Sequence, residues 1–411
     1  MSVPPDNGVM PETPAPTESF RLRDVALTAY GPTIVSSIGH GAVMPLLALR
    51  ARELGADVST AALIVSLLGL GMLVASLPAG AAVARIGERR ALVYAGLVDA
   101  LAMAVVAATS SVLALGLAVV VSGMTLTTFL MARQGYLIDA VPRSYRARAM
   151  SALGGSHRVG AFVGPLLGAG LIHVADLRAV FVLASVTALA SAVLALLVPD
   201  LGSEHRTSQR EVGHAKVWDV LVAHRRALLT VGVAVIVISA SRSVRNGLVP
   251  LWADQVGLSP STTSLIFALA GAIDVLFFFP GGWLMDRYGR RVVAVPVVLS
   301  VAVAALLLPL ATTTLTVTGV VVLIALGNGL GSGVVMTLGA DAAPVLGRAQ
   351  FLGGWRLCGD IGFSGAPLVV SAVAAVAPLA TACLVIGLLG LAGTAWVGYW
   401  VGLEDRRRTR N

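Results

Sequence analysis

The chain has 411 residues, of which 57% are hydrophobic and 12% are charged, and its formal net charge is +8. Soluble domains contain about 25% charged residues, so this chain lacks the polar side chains that would cover a water-soluble globule. The composition argues against a soluble enzyme, a disordered protein or a nucleic-acid-binding domain, and two cysteines cannot form a disulfide framework. It favours a polytopic membrane protein.

Residues 1–20 hold five prolines among polar residues and have no apolar core of a signal peptide, which predicts a disordered cytoplasmic tail. The apolar runs that follow are long enough to span a membrane, which takes about 20 residues. They are continuous and lack an alternation of period two, which indicates helices rather than strands of a β-barrel. We predict twelve helices, near residues 25–50, 60–83, 91–110, 112–138, 147–173, 178–198, 227–252, 260–285, 291–310, 314–338, 348–373 and 377–402.

The longest polar connection, at residues 199–226, divides these helices into two blocks of six. The sequence therefore predicts an N-terminal six-helix bundle at 21–198, this segment as a cytoplasmic linker, a C-terminal six-helix bundle at 227–402 and a basic cytoplasmic tail at 403–411. A lipid-binding role of the basic tail stays open as an alternative.

Lysine and arginine are distributed unevenly between the two sets of connections. If the N-terminus is cytoplasmic, the outer loops hold only Arg50, Arg52 and Arg178, and the other loop and tail arginines lie inside. Membrane proteins concentrate positive charge in their cytoplasmic loops. We therefore expect a multi-pass protein of the plasma membrane with both termini in the cytoplasm, and the positive charge gives no support to nucleic-acid binding.

Glycines, prolines and charged residues recur in the two blocks at a constant offset of 202 positions. We interpret the chain as a tandem duplication of a six-helix unit. An even number of helices gives both copies the same orientation, and transporters with such parallel repeats place a substrate site between the halves near the midplane. The matching pairs are Gly55/Gly257, Pro78/Pro280, Gly80/Gly282, Arg85/Arg287, Gly87/Gly289, Arg89/Arg291, Asp139/Asp341, Pro142/Pro344, Arg146/Arg348, Gly160/Gly362 and Pro165/Pro367.

A glycine-rich charged motif follows the second helix of each block. The second block has Gly282-Trp-Leu-Met-Asp286-Arg287-Tyr-Gly289-Arg290-Arg291, and the first has Gly80-Ala-Ala-Val-Ala84-Arg85-Ile-Gly87-Glu88-Arg89. Glycine permits a tight turn, and the charged groups can cluster at neighbouring helix ends. The motif resembles the G-x-L-x-D-R-x-G-R-R/K loop of the major facilitator superfamily, in which this cluster helps to set the inward–outward equilibrium. The first block departs from it at Ala84 and Glu88.

Two further motifs extend the resemblance. Arg133-Gln-Gly-Tyr-Leu-Ile-Asp139-Ala-Val-Pro142-x-x-x-Arg146 is similar to the family's signature between the fourth and fifth helices, and Asp341-Ala-Ala-Pro344-x-x-x-Arg348 is its copy. Gly160-Ala-Phe-Val-Gly164-Pro165-Leu-Leu-Gly168-Ala169 resembles the antiporter motif G-x-x-x-G-P-x-x-G-G, whose small residues let two helices touch.

This resemblance implies an all-α membrane protein whose two six-helix bundles are related by a pseudo-twofold axis, of the twelve-helix drug:proton antiporter type. It implies an antiporter motif at Gly160, Gly164, Pro165 and Gly168. It implies gating roles for Gly80, Arg85, Gly87, Arg133, Asp139, Arg146, Gly282, Asp286, Arg287, Gly289, Arg290, Asp341 and Arg348.

Ionisable residues inside the spans are the next candidates, because such residues are rare in membranes and usually functional. Arg158 and Asp360 lie twelve residues after a basic loop residue, and Asp274 lies twelve before Asp286. Each is then about 18 Å from the inner boundary, near the middle of an apolar layer of about 30 Å. The resemblance implies that helix five faces helix eight, so we expect a pair between Arg158 and Asp274. A permanent salt bridge and a proton-switched pair both remain open.

Asp360 is our candidate for the proton carrier, because a buried carboxylate can exchange its proton near neutral pH. The alternative is that Arg356, one turn before it, simply satisfies its charge. We assign Asp274, Arg158 and His40 to the same proton-coupling set. Asp99 lies on an outer helix of the family and is expected to satisfy a structural partner.

Arg242 and Arg245 lie three positions apart and so share one face of helix seven. Two buried guanidinium groups favour an anionic substrate, unless they pair with Asp360 or with backbone carbonyls. Phe277 and Met336 would supply an adaptable apolar wall, although such residues are also ordinary packing. The predicted substrate-binding set is His40, Arg242, Arg245, Asn246, Phe277 and Met336.

The sequence thus favours a secondary active transporter that exports small drug-like organic molecules by proton-coupled alternating access. The alternatives are a transporter of one anionic metabolite, and a lipid-handling carrier or non-transporting receptor of the same fold. We expect no enzyme activity, because no nucleophile–base pair or metal-ligand spacing is present. No metal and no cofactor are expected. The expected partners are the small-molecule substrate, protons and the lipid bilayer around a monomer, without nucleic acid.

Overall fold

The computed structural model describes residues 26–141, 146–198, 217–331, 333–344 and 348–408. Almost all of these residues are helical, because a helix satisfies its backbone hydrogen bonds within itself and so tolerates an apolar environment. The predicted all-α membrane fold is confirmed. The tail predicted at 1–20 lies outside the described residues.

Within the described residues, twelve long helices follow one another, some of them broken or bent, as predicted. The first six are α1 (Ala26–Val43, bent by 45° into Leu47–Glu53), α2 (Val58–Ile86), α3 (Glu88–Ala108), α4 (Val112–Ala140), α5 (Arg146–Val174) and α6 (Leu177–Leu196). The last six are α7 (Val233–Gln255), α8 (Pro260–Leu276, bent by 42° into Phe278–Tyr288), α9 (Arg291–Leu307), α10 (Thr314–Leu330 and Val334–Ala342), α11 (Arg348–Ala374) and α12 (Leu379–Arg408).

Length and apolarity allow most of these helices to cross a membrane. In the described part of the chain, nine helices meet that description, and the bent pairs of α1 and α8 raise the number to eleven. The remaining helix, α5, has 29 residues and is equally long. It is more polar because it carries three arginines and two histidines.

Two segments outside the predicted spans are also helical. The linker contains the short helices Val217–Ala223 and Arg225–Ala227, with a π-helical turn at Leu228–Gly232 leading into α7. Helix α12 continues to Arg408, although we had expected a tail from residue 403. A side-chain contact explains this extension, since Asp405 accepts hydrogen bonds from the backbone N–H groups of Arg290 (3.1 Å) and Arg291 (2.9 Å).

The sequence repeat recurs as a repeat of turns. Among the described residues, positive φ occurs only at Gly55 (+87°), Gly87 (+88°), Gly257 (+77°) and Gly289 (+91°). These are two of the pairs predicted from the offset, and only glycine adopts this conformation without strain. Gly87 and Gly289 lie where the arginine-rich loops are, which we call the basic end. Gly55 and Gly257 lie at the opposite end, the far end.

The two halves meet along two seams. Helix α2 packs against α11 in the first seam, and α5 packs against α8 in the second. A glycine allows the close approach in each: a Cβ on Gly69 would lie 2.9 Å from the Cα of Ser364, and a Cβ on Gly271 would lie 2.9 Å from the carbonyl oxygen of Ala161. Gly69 and Gly271 are themselves 202 positions apart, so the two seams are related by the pseudo-twofold axis.

Candidate functional site

The first seam holds the acid predicted as the proton carrier. Asp360 is buried, and its Oδ2 accepts a hydrogen bond of 2.6 Å from the Oγ of Ser76 across the seam. The Nε of Arg356 lies 4.0 Å from the same oxygen, at the limit of an ion pair. Asp360 is therefore buried, as expected of a proton carrier, and it also lies near Arg356, as the alternative predicts. Its closer partner, however, is a serine of the other half.

The second seam holds Arg158, with a partner different from the one predicted. Its Nη1 donates to the backbone carbonyl of Asp274 at 3.3 Å, and its guanidinium lies 4.4 Å from the ring centre of Phe278. The expected ion pair with the Asp274 carboxylate is not formed, because that carboxylate binds Arg245 instead. Arg158 and Phe278 occupy the positions equivalent to Asp360 and Ser76, so one pseudo-symmetric contact joins the halves at both seams.

Three arginines surround the single carboxylate of Asp274. Arg245 Nη1 binds Asp274 Oδ2 at 2.8 Å, with both side chains less than a fifth exposed. The Nη2 of Arg242 donates to the carbonyl of Gly331 at 2.7 Å, and its charge lies close enough to interact with Arg158, Arg245 and Asp274. We call Arg158, Arg242, Arg245 and Asp274 the arginine cluster. It has two more positive groups than negative ones.

Several polar atoms of the arginine cluster lack a partner. Among the described residues, the buried Nε atoms of Arg242 and Arg245 and the Oδ1 of Asp274 make no hydrogen bond. A buried polar atom without a partner is unfavourable. The cluster therefore has donors available for a bound molecule.

A cavity of about 430 Å³ opens beside the cluster at the second seam. This volume lies in the range of small-molecule pockets, about 300–1,000 Å³. Arg158 is the charged residue of its wall, which is otherwise formed by Val159, Val275, Phe278 and Phe279 with smaller side chains. Phe278 was not in our predicted binding set, and only its place in a run of three phenylalanines pointed to it.

The predicted apolar wall is only partly assembled. Phe277 is half-buried and packs where α10 comes closest to α8, at Gly329. Asn246 is half-buried on α7. Met336 is 72% exposed. The structure thus places Phe277 next to the arginine cluster, whereas nothing in it links Met336 to the same site.

His40 does not join the arginine cluster, although it is the repeat equivalent of Arg242. Its Nε2 faces Asp99 Oδ2 at 3.6 Å inside the N-terminal half. Asp99 Oδ1 accepts hydrogen bonds from Ser122 (2.6 Å) and Thr125 (3.2 Å). His40 therefore lies outside the arginine cluster, and its predicted substrate-binding role stays a prediction. Asp99 has polar partners, as we expected of a structural residue.

The charged motif at the basic end is well formed in the C-terminal half. Arg290 Nε binds Asp341 Oδ2 at 2.9 Å, beside the Asp405 contacts with α9. Arg287 packs on the rings of Trp283 and Tyr288 instead. Asp286 is exposed, and its carboxylate takes part in no hydrogen bond or ion pair of the described residues, so it is not part of the expected cluster here.

The equivalent loop of the N-terminal half is simpler. Arg89 donates to the carbonyl of Leu196 at 2.6 Å, and the Glu88 side chain lies over Gly135. Arg85 and Gly80 are exposed, whereas Gly282, the copy of Gly80, is half-buried. Arg133 has a buried Nε without a partner in the described part of the chain. The side chains of Asp139, Arg146 and Arg348 lie outside the described part, so their predicted gating roles stay predictions.

The antiporter motif forms the contact between α5 and α1. A Cβ on Gly160 would collide with Ser37, and one on Gly164 would collide with the backbone at Ile38 and Ala42. At Gly168 a Cβ would find ordinary contacts at 3.6 Å. Pro165 lies inside α5 between them. Gly160 and Gly164 therefore set the distance between the two helices.

The far ends of the two halves are joined directly. Arg52 Nε binds Asp254 Oδ2 at 3.1 Å. Ser59 donates to the carbonyl of Ser371 at 2.9 Å, and Ser261 donates to that of Ala169 at 3.2 Å. Each bond connects the first half to the second, so this conformation is closed at the far end.

Comparison with known proteins agrees with this architecture. The sequence model of the Major Facilitator Superfamily matches residues 33–240 and 231–411. "Multidrug resistance protein MdtG" of Erwinia billingiae (strain Eb661) is 29% identical over 173 residues, a match that spans 41% of this chain and 42% of that protein. A POT family transporter in complex with 5-aminolevulinic acid superposes with a TM-score of 0.76 at 12% identity, covering 93% of this chain and 96% of that one. A mutant peptide transporter POT in complex with alafosfalin gives 0.74 at 14%, covering 92% and 94%. These structural likenesses show the fold.

Proposed function

The chain belongs to the major facilitator superfamily, and on that premise we propose that this transporter carries small organic anions between its two halves by alternating access. The basic end faces the cytoplasm in this proposal, because positive loops stay inside, and the membrane is the plasma membrane. The far end, which is closed here, then faces outward. The substrate would enter from the cytoplasm or the inner leaflet, as in an exporter.

The observation that carries the proposal is the charge of the arginine cluster. Three arginines lie around one carboxylate, which pairs directly with Arg245 alone, and Arg242 and Arg245 have buried N–H groups without partners among the described residues. Burying an unpaired cation in an apolar layer is unfavourable. A carboxylate, phosphonate or sulfonate on the substrate would supply the missing acceptors, and guanidinium groups bind such groups with two parallel hydrogen bonds.

The largely apolar wall of the cavity at the second seam indicates that the substrate has an organic part. Its wall offers two phenyl rings and two valines around the guanidinium of Arg158. An acidic head at the arginine and an apolar body along the rings would satisfy both parts of this wall. An inorganic anion would leave the apolar surface uncovered, so a small organic acid fits better.

Proton coupling through the first seam completes the proposal. Asp360 is held by Ser76 across the seam and faces Arg356 on its own helix. Protonation would remove its charge and weaken both contacts, so that α2 and α11 could part more easily. Substrate binding at one seam and proton binding at the other would then act on the same pair of halves.

A second candidate function is export of uncharged or cationic drugs. The specific observation in its favour is the 29% identity to a protein named for multidrug resistance. The phenyl rings of the cavity are compatible with it. Unlike the first proposal, it assigns no role to the excess positive charge of the arginine cluster.

The test is transport by the purified full chain in proteoliposomes with an imposed pH gradient. Fluorescein serves as the organic anion and ethidium as the organic cation. We expect fluorescein to move and ethidium to be excluded. Arg158→Gln should weaken fluorescein transport at least about tenfold, the value of one charge-assisted hydrogen bond. Arg225→Gln, an exposed arginine at the basic end, is the matched control and should have no effect. Movement of ethidium alone, unaffected by Arg158→Gln, would establish the second candidate instead.

A further inference from the structure

A small polar pocket lies inside the N-terminal half, separate from the arginine cluster. Helices α1, α3, α4 and α6 enclose it. His40 and Asp99 meet there, with side chains that are 15% and 8% exposed. The free space is about 10 Å³, close to the minimum that one water molecule needs. No step of the proposed anion transport uses this pocket.

The hydrogen bonds of the pocket indicate which ring nitrogen of His40 carries the proton. His40 Nδ1 lies 3.1 Å from the carbonyl oxygen of Ser36. A carbonyl can only accept, so Nδ1 carries the ring proton. In the neutral ring, Nε2 is then an acceptor. It has no hydrogen-bond partner among the described residues, and it faces the Oδ2 of Asp99 at 3.6 Å.

The Asp99 carboxylate is also a hydrogen-bond acceptor. Ser122 and Thr125 both donate to Asp99 Oδ1, at 2.6 and 3.2 Å. Two acceptors, Nε2 and Oδ2, therefore face each other across a gap that is too long for a hydrogen bond and contains no donor. One proton placed between them would make that bond.

We propose that His40 and Asp99 form a proton-binding site of the N-terminal half, taking up one proton between Nε2 and Oδ2. The proton comes from the aqueous phase, no covalent bond between heavy atoms changes, and the net charge of the dyad goes from −1 to zero. Uptake draws the two groups from 3.6 Å to hydrogen-bond distance. The inference rests on the transporter function and does not depend on the substrate being an anion.

The equivalent place in the C-terminal half shows that packing alone does not require these residues. Asp99 corresponds to Val301, Ser122 to Ile324 and Thr125 to Gly327, all buried in the core of the second half. Apolar groups can replace a buried ionic pair without loss of stability. Asp99 therefore lies where the same fold packs well around an apolar residue, whereas His40 has a polar counterpart in Arg242.

A short chain of contacts leads from the dyad to the second seam. Ser37, on α1 beside the pocket, shares a hydrogen bond of 2.9 Å with the Nδ1 of His157 on α5. The next residue, Arg158, contacts α8 of the other half. His40 also lies just before the bend of α1. A shift of α1 towards α3 on proton binding would therefore reach the seam through α5.

Few other charged groups face the dyad. Asp99 is the acid of α3 at this depth, since Glu88 lies eleven residues away at the start of the helix, and the nearest charged residue of α4 is Arg133, two turns beyond Thr125. On α5 they are His157 and Arg158, and His157 lies close enough to interact electrostatically with Arg133, His40 and Arg158. The part of α6 that lines the pocket offers the hydroxyl of Ser191. These neighbours are cationic or neutral, so Asp99 is the acid available to pair with a protonated His40.

The first test needs no substrate. Infrared difference spectra of the purified full chain are recorded between about pH 5 and 8, where histidine side chains exchange their protons. We expect carboxylate and imidazole bands that titrate together and disappear both in Asp99→Asn and in His40→Gln. Asp360→Asn, the control at the first seam, should keep them. Bands that persist in Asp99→Asn, or vanish only in Asp360→Asn, would overturn the proposal.

The second test separates a proton site from a structural pair. The double variant His40→Leu/Asp99→Val copies the apolar counterpart at Val301 and should fold with an unchanged melting temperature. In proteoliposomes, with fluorescein and ethidium both supplied, exchange across the membrane should persist while accumulation driven by a pH gradient is lost. Gradient-driven accumulation equal to that of the wild type contradicts the inference. Absence of any movement of either dye in the wild type counts against the transport proposal and leaves the infrared result to decide the dyad.

Discussion

In the N-terminal half, Asp99 is buried beside His40, whereas the C-terminal half has Val301 and Arg242 at the equivalent positions. The helices that carry these residues begin and end at matching places in the two halves. The backbones differ in one respect, since α1 bends by 45° after Val43 where α7 continues, but the chemical difference between the two places lies in the side chains. The proposed proton site and the proposed anion site therefore occupy equivalent places in a duplicated backbone.

The two seams show the same division. At the first seam a serine holds an acid, Ser76 with Asp360, and at the second a phenylalanine ring covers a base, Phe278 with Arg158. A hydrogen bond to a carboxylate depends on its charge, so the first seam responds to protonation. A guanidinium is always charged, so the second seam does not.

The largest effect is expected at the carboxylate that the arginine cluster shares. Asp274→Asn leaves Arg158, Arg242 and Arg245 without a counter-charge, and breaking one partner of a buried ion pair costs about 3–5 kcal/mol. The free energy of unfolding in detergent should fall by that amount. Asp99→Asn in the other half should cost clearly less, because hydroxyls and a histidine surround it. Equal losses in the two variants would remove the distinction between the two sites.

A smaller effect is expected where α5 touches α1. Gly164→Ala forces a Cβ into the backbone of α1, and overpacking typically costs about 1–3 kcal/mol. The equivalent residue of the C-terminal half is Ala366, so this contact is tighter in the first half. Gly168→Ala is the control and should be neutral. The free energy of unfolding of both variants measures this, and a neutral Gly164→Ala would show that α1 can move aside.

The helix caps at the far end should differ in their response to acid. Asp57 caps α2 by accepting from the backbone N–H of Thr60 at 2.7 Å, and Ser259 caps α8 in the same way at 3.1 Å. Asp57→Ala should cost about 1 kcal/mol, whereas Asp57→Ser should cost little. The free energy of unfolding near pH 7 is the measurement.

The hydrogen bonds from Thr60 lower the pKa of Asp57 below its ordinary value. Its stabilisation is therefore complete above the ordinary pKa, about 4, and declines as pH falls through the lowered folded-state pKa. Ser259 has no such dependence. The Asp57→Ser variant should lose less stability below about pH 4 than the wild type, and parallel acid curves would contradict this.

The smallest effect on stability is expected at the pair of Arg52 and Asp254. Both side chains are more than a third exposed, so Arg52→Ala should cost no more than about 1 kcal/mol. Its effect should be on the opening of the far end. Spin labels at Val174 and Val376, which are equivalent and exposed, should report longer distances in a background lacking Cys358 and Cys383. The swapped pair Arg52→Asp/Asp254→Arg should restore the wild-type distances, and failure to do so would exclude a direct pairing role.

The positions of the helices follow from the sequence, whereas their partners do not. Apolar runs mark the spans, and the glycine pairs mark turns that only glycine can make. Counting residues from the loops placed Arg158 and Asp274 at one depth, and they do meet there. Which atoms meet depends on the rotation of each helix about its own axis. In the structure the Asp274 carboxylate pairs with Arg245 and not with Arg158.

Partners without charge were the hardest to predict. Ser76 holds Asp360, and Ser122 holds Asp99, yet a serine in an apolar run resembles any other small residue of a membrane helix. Phe278 covers Arg158 through its ring face, a contact that hydropathy does not indicate. The extension of α12 was missed because Asp405 lies among arginines, where charge alone predicts a tail.

The pair of Arg52 and Asp254 has a consequence for the origin of the chain. The two residues are 202 positions apart, so each is the copy of the other, and they meet across the pseudo-twofold axis. Two separate copies of one six-helix unit would bring identical residues together there, and two arginines or two aspartates would repel. An attractive contact on the axis is available only when the two copies differ in sequence, so this salt bridge requires that the duplicated copies mutated independently.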